Sequence, residues 1–97
     1  MHRLVIHEAA EVEINQAADF YDGQCPGLGS TFLDQVEIAI ENIQQFPTAS
    51  SPIQGRIRKK HLKTFPYSLI YSVLPEEMRI LAVAHMKRRP LHWHGRR

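Results

Sequence analysis

Two clusters of helix-breaking residues constrain what this chain can become. Asp22-Gly23-Gln24-Cys25-Pro26-Gly27-Leu28-Gly29 concentrates turn formers, and Pro47 closes the stretch that follows, because proline lacks an amide N–H and its ring clashes with the preceding helical turn. Before the first break, Ala10, Ile14, Ala17 and Tyr21 recur at steps of four, three and four, which lines one face of a helix predicted over residues 8–23. Glu8, Glu11 and Glu13 stand at its start, where carboxylates meet the positive end of the peptide dipoles, and the acids are expected on the faces away from the apolar stripe. Between the breaks, Phe32, Val36, Ala39 or Ile40, and Ile43 keep the 3.6-residue period, so a second helix is predicted from Leu28 or Gly29 to Pro47. Two helices joined so tightly form an αα-hairpin. Thr48 to Pro52 reads as a polar loop.

Elsewhere the period is two. Leu4-Val5-Ile6 is a short first strand, and Arg56-Ile57-Arg58-Lys59-Lys60-His61-Leu62 is a strand of unusually basic character. After Pro66, the run from Tyr67 to Leu74 sets Tyr67, Leu69, Tyr71 and Val73 on one face and Ser68, Ile70, Ser72 and Leu74 on the other. Pro75-Glu76-Glu77 is a turn, and Met78 to His85 is the return strand of a hairpin. Strict alternation there puts Met78, Ile80, Ala82 and Ala84 on one face and Arg79, Leu81, Val83 and His85 on the other.

The order is β-α-α-β-β-β with a basic C-terminal tail, in a single domain over residues 1–97. Helices segregated before a run of strands predict an α+β fold, a two-helix hairpin on one face of a mainly antiparallel sheet, the other face being left concave or open. Charge follows the same division. Eight carboxylates and one basic residue precede Gly55, a net of −7, whereas eleven basic residues and two carboxylates occupy 55–97, a net of +9. Such asymmetry marks the later strands and the tail as the surface for a polyanion or an acidic partner.

Composition excludes other classes. With 43% hydrophobic and 23% charged residues the chain is ordinary globular material. No apolar run approaches the roughly 20 residues that cross a bilayer, and the start is too short and too soon charged for a secretory signal, so a cytoplasmic protein with no membrane partner is expected. The one cysteine, Cys25, reads as a free thiol suited to a reducing compartment. His92 and His94 lack accompanying carboxylate or thiolate ligands, and Gly27-Leu28-Gly29-Ser30 lacks the preceding strand and following lysine of a nucleotide loop. Neither a metal nor a cofactor is expected.

In this order and at these spacings the sequence resembles a known family. Pro26-Gly27-Leu28-Gly29 followed by Phe32, Phe46-Pro47, Gly55-Arg56-Ile57-Arg58, Phe65-Pro66-Tyr67-Ser68-Leu69-Ile70-Tyr71 and His85-Met86-Lys87-Arg88-Arg89-Pro90-Leu91-His92-Trp93 resemble the RelE/ParE superfamily of bacterial type II toxin–antitoxin toxins over residues 3–95. The superfamily holds two activities: RelE-like members cut mRNA in the ribosomal A site, and ParE-like members poison DNA gyrase. The resemblance to a nuclease implies Arg58, Lys60 and Arg79 as phosphate contacts and His85 as acid or base. RelE-like nucleases, however, carry an arginine where this chain reads Tyr67-Ser68-Leu69, and the strand from Tyr67 to Leu74 has no cation. That strand and the His85–Trp93 ending are more similar to the ParE-like (plasmid stabilisation) branch.

On this reading Lys87, Arg88, Arg89, Trp93, Tyr67 and Tyr71 are candidate contacts to a target or partner. Each has a plainer alternative. His85 is first of all suited to end a strand by bonding a neighbour. Arg58, Lys59 and Lys60 either form a solvated edge that discourages strand pairing or face an anion. Trp93 either folds the tail back onto the sheet or stacks on a target, and Tyr67 and Tyr71 belong to the core or to an antitoxin groove. The resemblance implies a cognate antitoxin whose disordered C-terminal segment wraps the domain in a hetero-oligomer, and gyrase as target. The alternatives are the ribosome with its mRNA, or a decayed module that only binds antitoxin.

Overall fold

The computed structural model describes residues 3–87 and 92–96. Its elements are β1 (Arg3–Ile6), α1 (Glu8–Gln24), α2 (Leu28–Gln45), β2 (Ser51–Gln54), β3 (Ile57–His61), β4 (Tyr67–Val73) and β5 (Glu77–His85). The five strands form one sheet in the order β1-β5-β4-β3-β2. Pairing is antiparallel except for β1, which lies parallel to β5. A parallel neighbour requires a crossover, and the helical hairpin begins it by carrying the chain from β1 at one edge to β2 at the other, from which β3, β4 and β5 lead back to β1.

Both helices cover one face, as the α+β order predicts. Ala10, Ile14, Ala17 and Ala18 of α1 and Phe32, Val36, Ala39 and Ile43 of α2 bury their side chains against Leu69, Tyr71, Met78, Ile80 and Val83. Between the two α2 positions left open by sequence, Ala39 is buried and Ile40 only half-buried. Full burial of Phe32 or Ile43 contributes roughly 1.5–3 kcal/mol each relative to exposure. Tyr71, without exposed surface, satisfies its hydroxyl by donating to the Pro47 carbonyl at 3.0 Å.

The joint between the helices depends on Gly29. A Cβ there would lie 2.4 Å from the Ala18 carbonyl oxygen and 2.7 Å from an Asp22 carboxylate oxygen, so only glycine permits this approach. The N-cap of α2, Gly27, has φ +90° and no capping side chain. Asp22 of α1 does that work, accepting from the Gly29 N–H at 2.7 Å.

Four expectations are corrected. Ser51–Gln54, read partly as the end of a loop, is a short edge strand paired with β3; its four residues are all exposed, so no apolar alternation announces it. The faces of β5 change partway along. Ile70 pairs with Ala82 and Tyr71 with Ile80, leaving Leu81 as the extra residue of a β-bulge. Beyond it the side chains reverse: Ala82 lies on the far face with Leu81, while Val83 turns to the helices. The far face is not wholly open, because Trp93 covers Ile70, Leu81 and Ala82 there. Finally, Glu13 does not occupy a solvent face but is engaged by the C-terminal segment.

No helix among the described residues is long and apolar enough to cross a membrane.

Candidate functional site

Strand register assigns each candidate side chain to a face. Residues directly opposite in an antiparallel ladder share a side. Arg58 pairs with Tyr71 and Lys60 with Leu69, which places both on the helix side. Arg79 pairs with Ser72, the neighbour of helix-facing Tyr71, and so projects from the far face. His85 pairs with Tyr67 at the other end of β5.

These four groups do not converge. Arg79 is six residues from His85 along β5 and on the opposite face. Its guanidinium is paired with Glu77, which also receives Arg3 at 2.7 Å. The bonds from Arg79 and then from Arg3 hold the Glu77 carboxyl below the usual glutamate range. Arg58 is spent on structure as well, donating to the carbonyls of Thr48 at 3.0 Å and Ser50 at 2.6 Å and so fixing the turn from α2 into β2. Lys60 has no such partner among the described residues and lines a hollow against α2.

Tyr67 and His85 are brought together. Their rings meet edge to face with centroids 5.0 Å apart, and Tyr67 also stands edge-on to Tyr21 and Phe32. The His85 Nδ1 accepts from the Lys87 N–H at 3.0 Å, which leaves Nε2 as the atom available for other contacts. Together with Gln16 and Phe20, the pair lines an open hollow of about 260 Å³. Phe20 is 59% exposed at its rim and Met86 nearby in sequence is 75% exposed. The hollow offers an aromatic wall, one imidazole, one amide and the Glu13 carboxylate, with no Lys or Arg in its lining, a composition fitted to contact rather than to multi-cation phosphate chemistry.

Trp93 is 5% exposed and anchors the tail on the far face. Tyr71 is wholly buried. Lys87 is exposed, whereas Arg88 and Arg89 lie outside the described residues.

Sequence reasoning did not single out Glu13, His92 and Arg96 as a unit. One Glu13 oxygen accepts from Arg96 Nη1 at 2.8 Å and from the Val83 N–H at 3.1 Å. The other meets His92 Nε2 at 2.9 Å and Arg96 Nη2 at 3.2 Å. Arg96 further donates to the Leu81 carbonyl at 3.0 Å. Burial raises the Glu13 pKa, but the hydrogen bonds from Arg96, Val83 and His92 and the arginine charge outweigh it, so the carboxyl ends below its ordinary value. The sequence held one signal: Glu13 is three residues after Ala10 and four before Ala17, on the flank of the buried stripe.

No protein-family model and no curated protein matches this sequence. Among solved structures, a chain from the chromosomal ParDE TA system from P. aeruginosa superposes with a TM-score of 0.76 at 18% identity, covering 88% of this chain and 96% of that one. The likeness is one of fold: the helical hairpin and the five-stranded sheet of this chain superpose on a chain of that ParDE system.

Proposed function

We propose that this chain is the toxin of a bacterial type II toxin–antitoxin (plasmid stabilisation) module of ParE-like kind, which arrests growth by acting on DNA gyrase and is neutralised by a cognate antitoxin. The fold shared with a ParDE chain supports the toxin class. One observation favours gyrase over mRNA cleavage: Arg79 lies on the sheet face opposite Arg58 and Lys60, and Arg58 is committed to loop carbonyls. Ribonuclease chemistry needs its cations and its proton donor around one phosphate. Poisoning a protein target needs only a contact surface, and the Tyr67–His85–Phe20 rim provides one. The antitoxin is then expected to be a small protein whose C-terminal segment orders on binding.

Inducing the chain alone in bacteria tests the toxin class, and growth arrest relieved by co-expressed antitoxin is the expected result. Purified protein added to gyrase should inhibit supercoiling or trap the cleaved complex. Unchanged supercoiling together with codon-positioned cuts in translated messages would replace this target with the ribosome. Antitoxin binding without any growth phenotype would mark a decayed module.

A further inference from the structure

Residues 42–75 contain Arg56, Arg58, Lys59, Lys60 and Lys63 and not one carboxylate. The side-chain ion pairs among the described residues engage Arg3, Arg79, His92 and Arg96. None of them engages Lys59, Lys60 or Lys63. Arg58 points its guanidinium into the Thr48–Ser50 loop, so the three lysines, with Arg56 in the β2–β3 turn, are the charge of this region that no side-chain ion pair among the described residues engages.

Their placement follows from register. Lys60 faces the helix side opposite Leu69, and Lys59 faces the far side opposite Ile70. The lysines thus straddle an edge hairpin whose outer strand is fully exposed, and Lys63 lies two residues beyond the end of β3. Two hollows meet at Asn42, Lys60 and His61. One, of about 110 Å³, lies against α2 at Gln35 and includes Lys63. The other, of about 240 Å³, lies beside Ser50 and Ser51 and includes Lys59. Neither is lined by a carboxylate.

From this we infer that the β2–β3 hairpin and its junction with α2 bind the phosphodiester backbone of a nucleic acid, with Lys59, Lys60 and Lys63 as the phosphate contacts. Ammonium groups supply charge, and the Asn42 amide and serine hydroxyls supply neutral donors, the combination by which proteins hold backbone phosphates without reading bases. An acidic protein partner fits less well. Protein interfaces centre on buried apolar or aromatic anchors, and Ile38 is the single large hydrophobe lining the two hollows. The site is separate from the Tyr67–His85 rim and from the paired Arg79. The inference goes beyond the toxin reading, since it concerns the free chain and a bare polymer.

Fluorescence anisotropy with a labelled DNA duplex of about 20 base pairs tests it, with an RNA duplex as a second arm, because each duplex-DNA phosphate contact adds about 0.9 to the slope of log affinity against log salt. Replacing Lys59, Lys60 and Lys63 by Gln should lower that slope by roughly 2–3 and weaken binding about tenfold or more at low salt. Lys63→Gln alone, in a turn outside the sheet, should remove about one contact and guards against misfolding of the triple variant. Arg3→Gln, at the opposite edge of the sheet, should change nothing. A preference for DNA or RNA names the source of the phosphates. An unaltered slope in the triple variant overturns the site, as does no salt-dependent binding by the unmodified chain. Poly-glutamate that competes as well as DNA at equal charge would likewise overturn it in favour of an acidic protein. All these readouts are independent of growth arrest and of gyrase.

Discussion

Glu13 of α1 and Arg96, eighty-three residues later, close the part of the sheet edge that β1 is too short to cover. β1 ends at Ile6, and its last bond to β5 is His7 N–H to the Ile80 carbonyl. From Leu81 onward β5 would present bare polar groups on that side. The Val83 N–H is taken by the Glu13 carboxylate and the Leu81 carbonyl by the Arg96 guanidinium. Two side chains, bonded to each other, stand where a strand would otherwise pair. The bulge at Leu81 and the Trp93 anchor belong to the same arrangement, which ties the tail to the far face and to the free edge of β5.

Glu13→Gln should therefore destabilise the domain by about 2 kcal/mol, because it leaves Arg96 and His92 facing a neutral amide in a partly buried setting. Urea unfolding measures this. Trp93 is the one tryptophan, so its emission reports the tail directly. In Glu13→Gln the tail should loosen, and native emission should shift to the red. Unchanged stability and emission would show that Trp93 holds the tail without the ion pair.

The same carboxylate gives a pH dependence of defined sign. The Glu13 pKa is lower folded than unfolded, so its contribution is present above the ordinary glutamate value, about 4.3, and is lost as pH falls through the lower folded value. Glu77 acts in the same direction. The stability difference between the unmodified chain and Glu13→Gln should be constant near neutrality and shrink below about pH 4. A difference that grew on acidification would contradict the assignment.

Gly29→Ala should cost about 2 kcal/mol or more, since its Cβ would meet a backbone carbonyl that has nowhere to move. Asp22→Ala removes the borrowed cap of α2 and should cost about 1 kcal/mol. The double variant should be less destabilised than the sum, because losing the Asp22 side chain relieves one of the two clashes. Thermal unfolding of the three variants checks the coupling.

Much of this fold was legible because its signals are local. The break at Pro26-Gly27 and the stripes Ala10-Ile14-Ala17 and Phe32-Val36-Ile43 specify both helices within the sequence that forms them. What was hidden depended on partners distant in sequence. Ser51–Gln54 is a strand only because β3 offers it an edge. The bulge at Leu81 inverts Ala82 and Val83 with no glycine to mark it. Glu13 reads as one more helix-start acid until Arg96 and His92 arrive from the far end of the chain. The candidate site was legible as a set of residue types but not as a place. Pairing register alone separated Arg79 from Arg58 and Lys60 and joined Tyr67 to His85.

His85→Ala distinguishes the two target classes by what it leaves intact. If His85 were a general acid or base, its removal should lower mRNA cleavage by about 10²-fold or more and abolish growth arrest. If the Tyr67–His85 rim is a contact surface on a gyrase poison, the imidazole is one contact among several, and the loss is a weakening of about 1–2 kcal/mol in target affinity. Growth arrest should then persist at higher induction. Phe20→Ala removes an exposed side chain with no proton-transfer chemistry, and it is the informative companion. Under the contact reading it weakens gyrase inhibition to a similar degree as His85→Ala; under the nuclease reading it leaves the cleavage step largely untouched. Supercoiling and message integrity measured on the same induced cultures separate the outcomes, and a His85→Ala chain that is wholly inert while Phe20→Ala is fully toxic would defeat the contact reading.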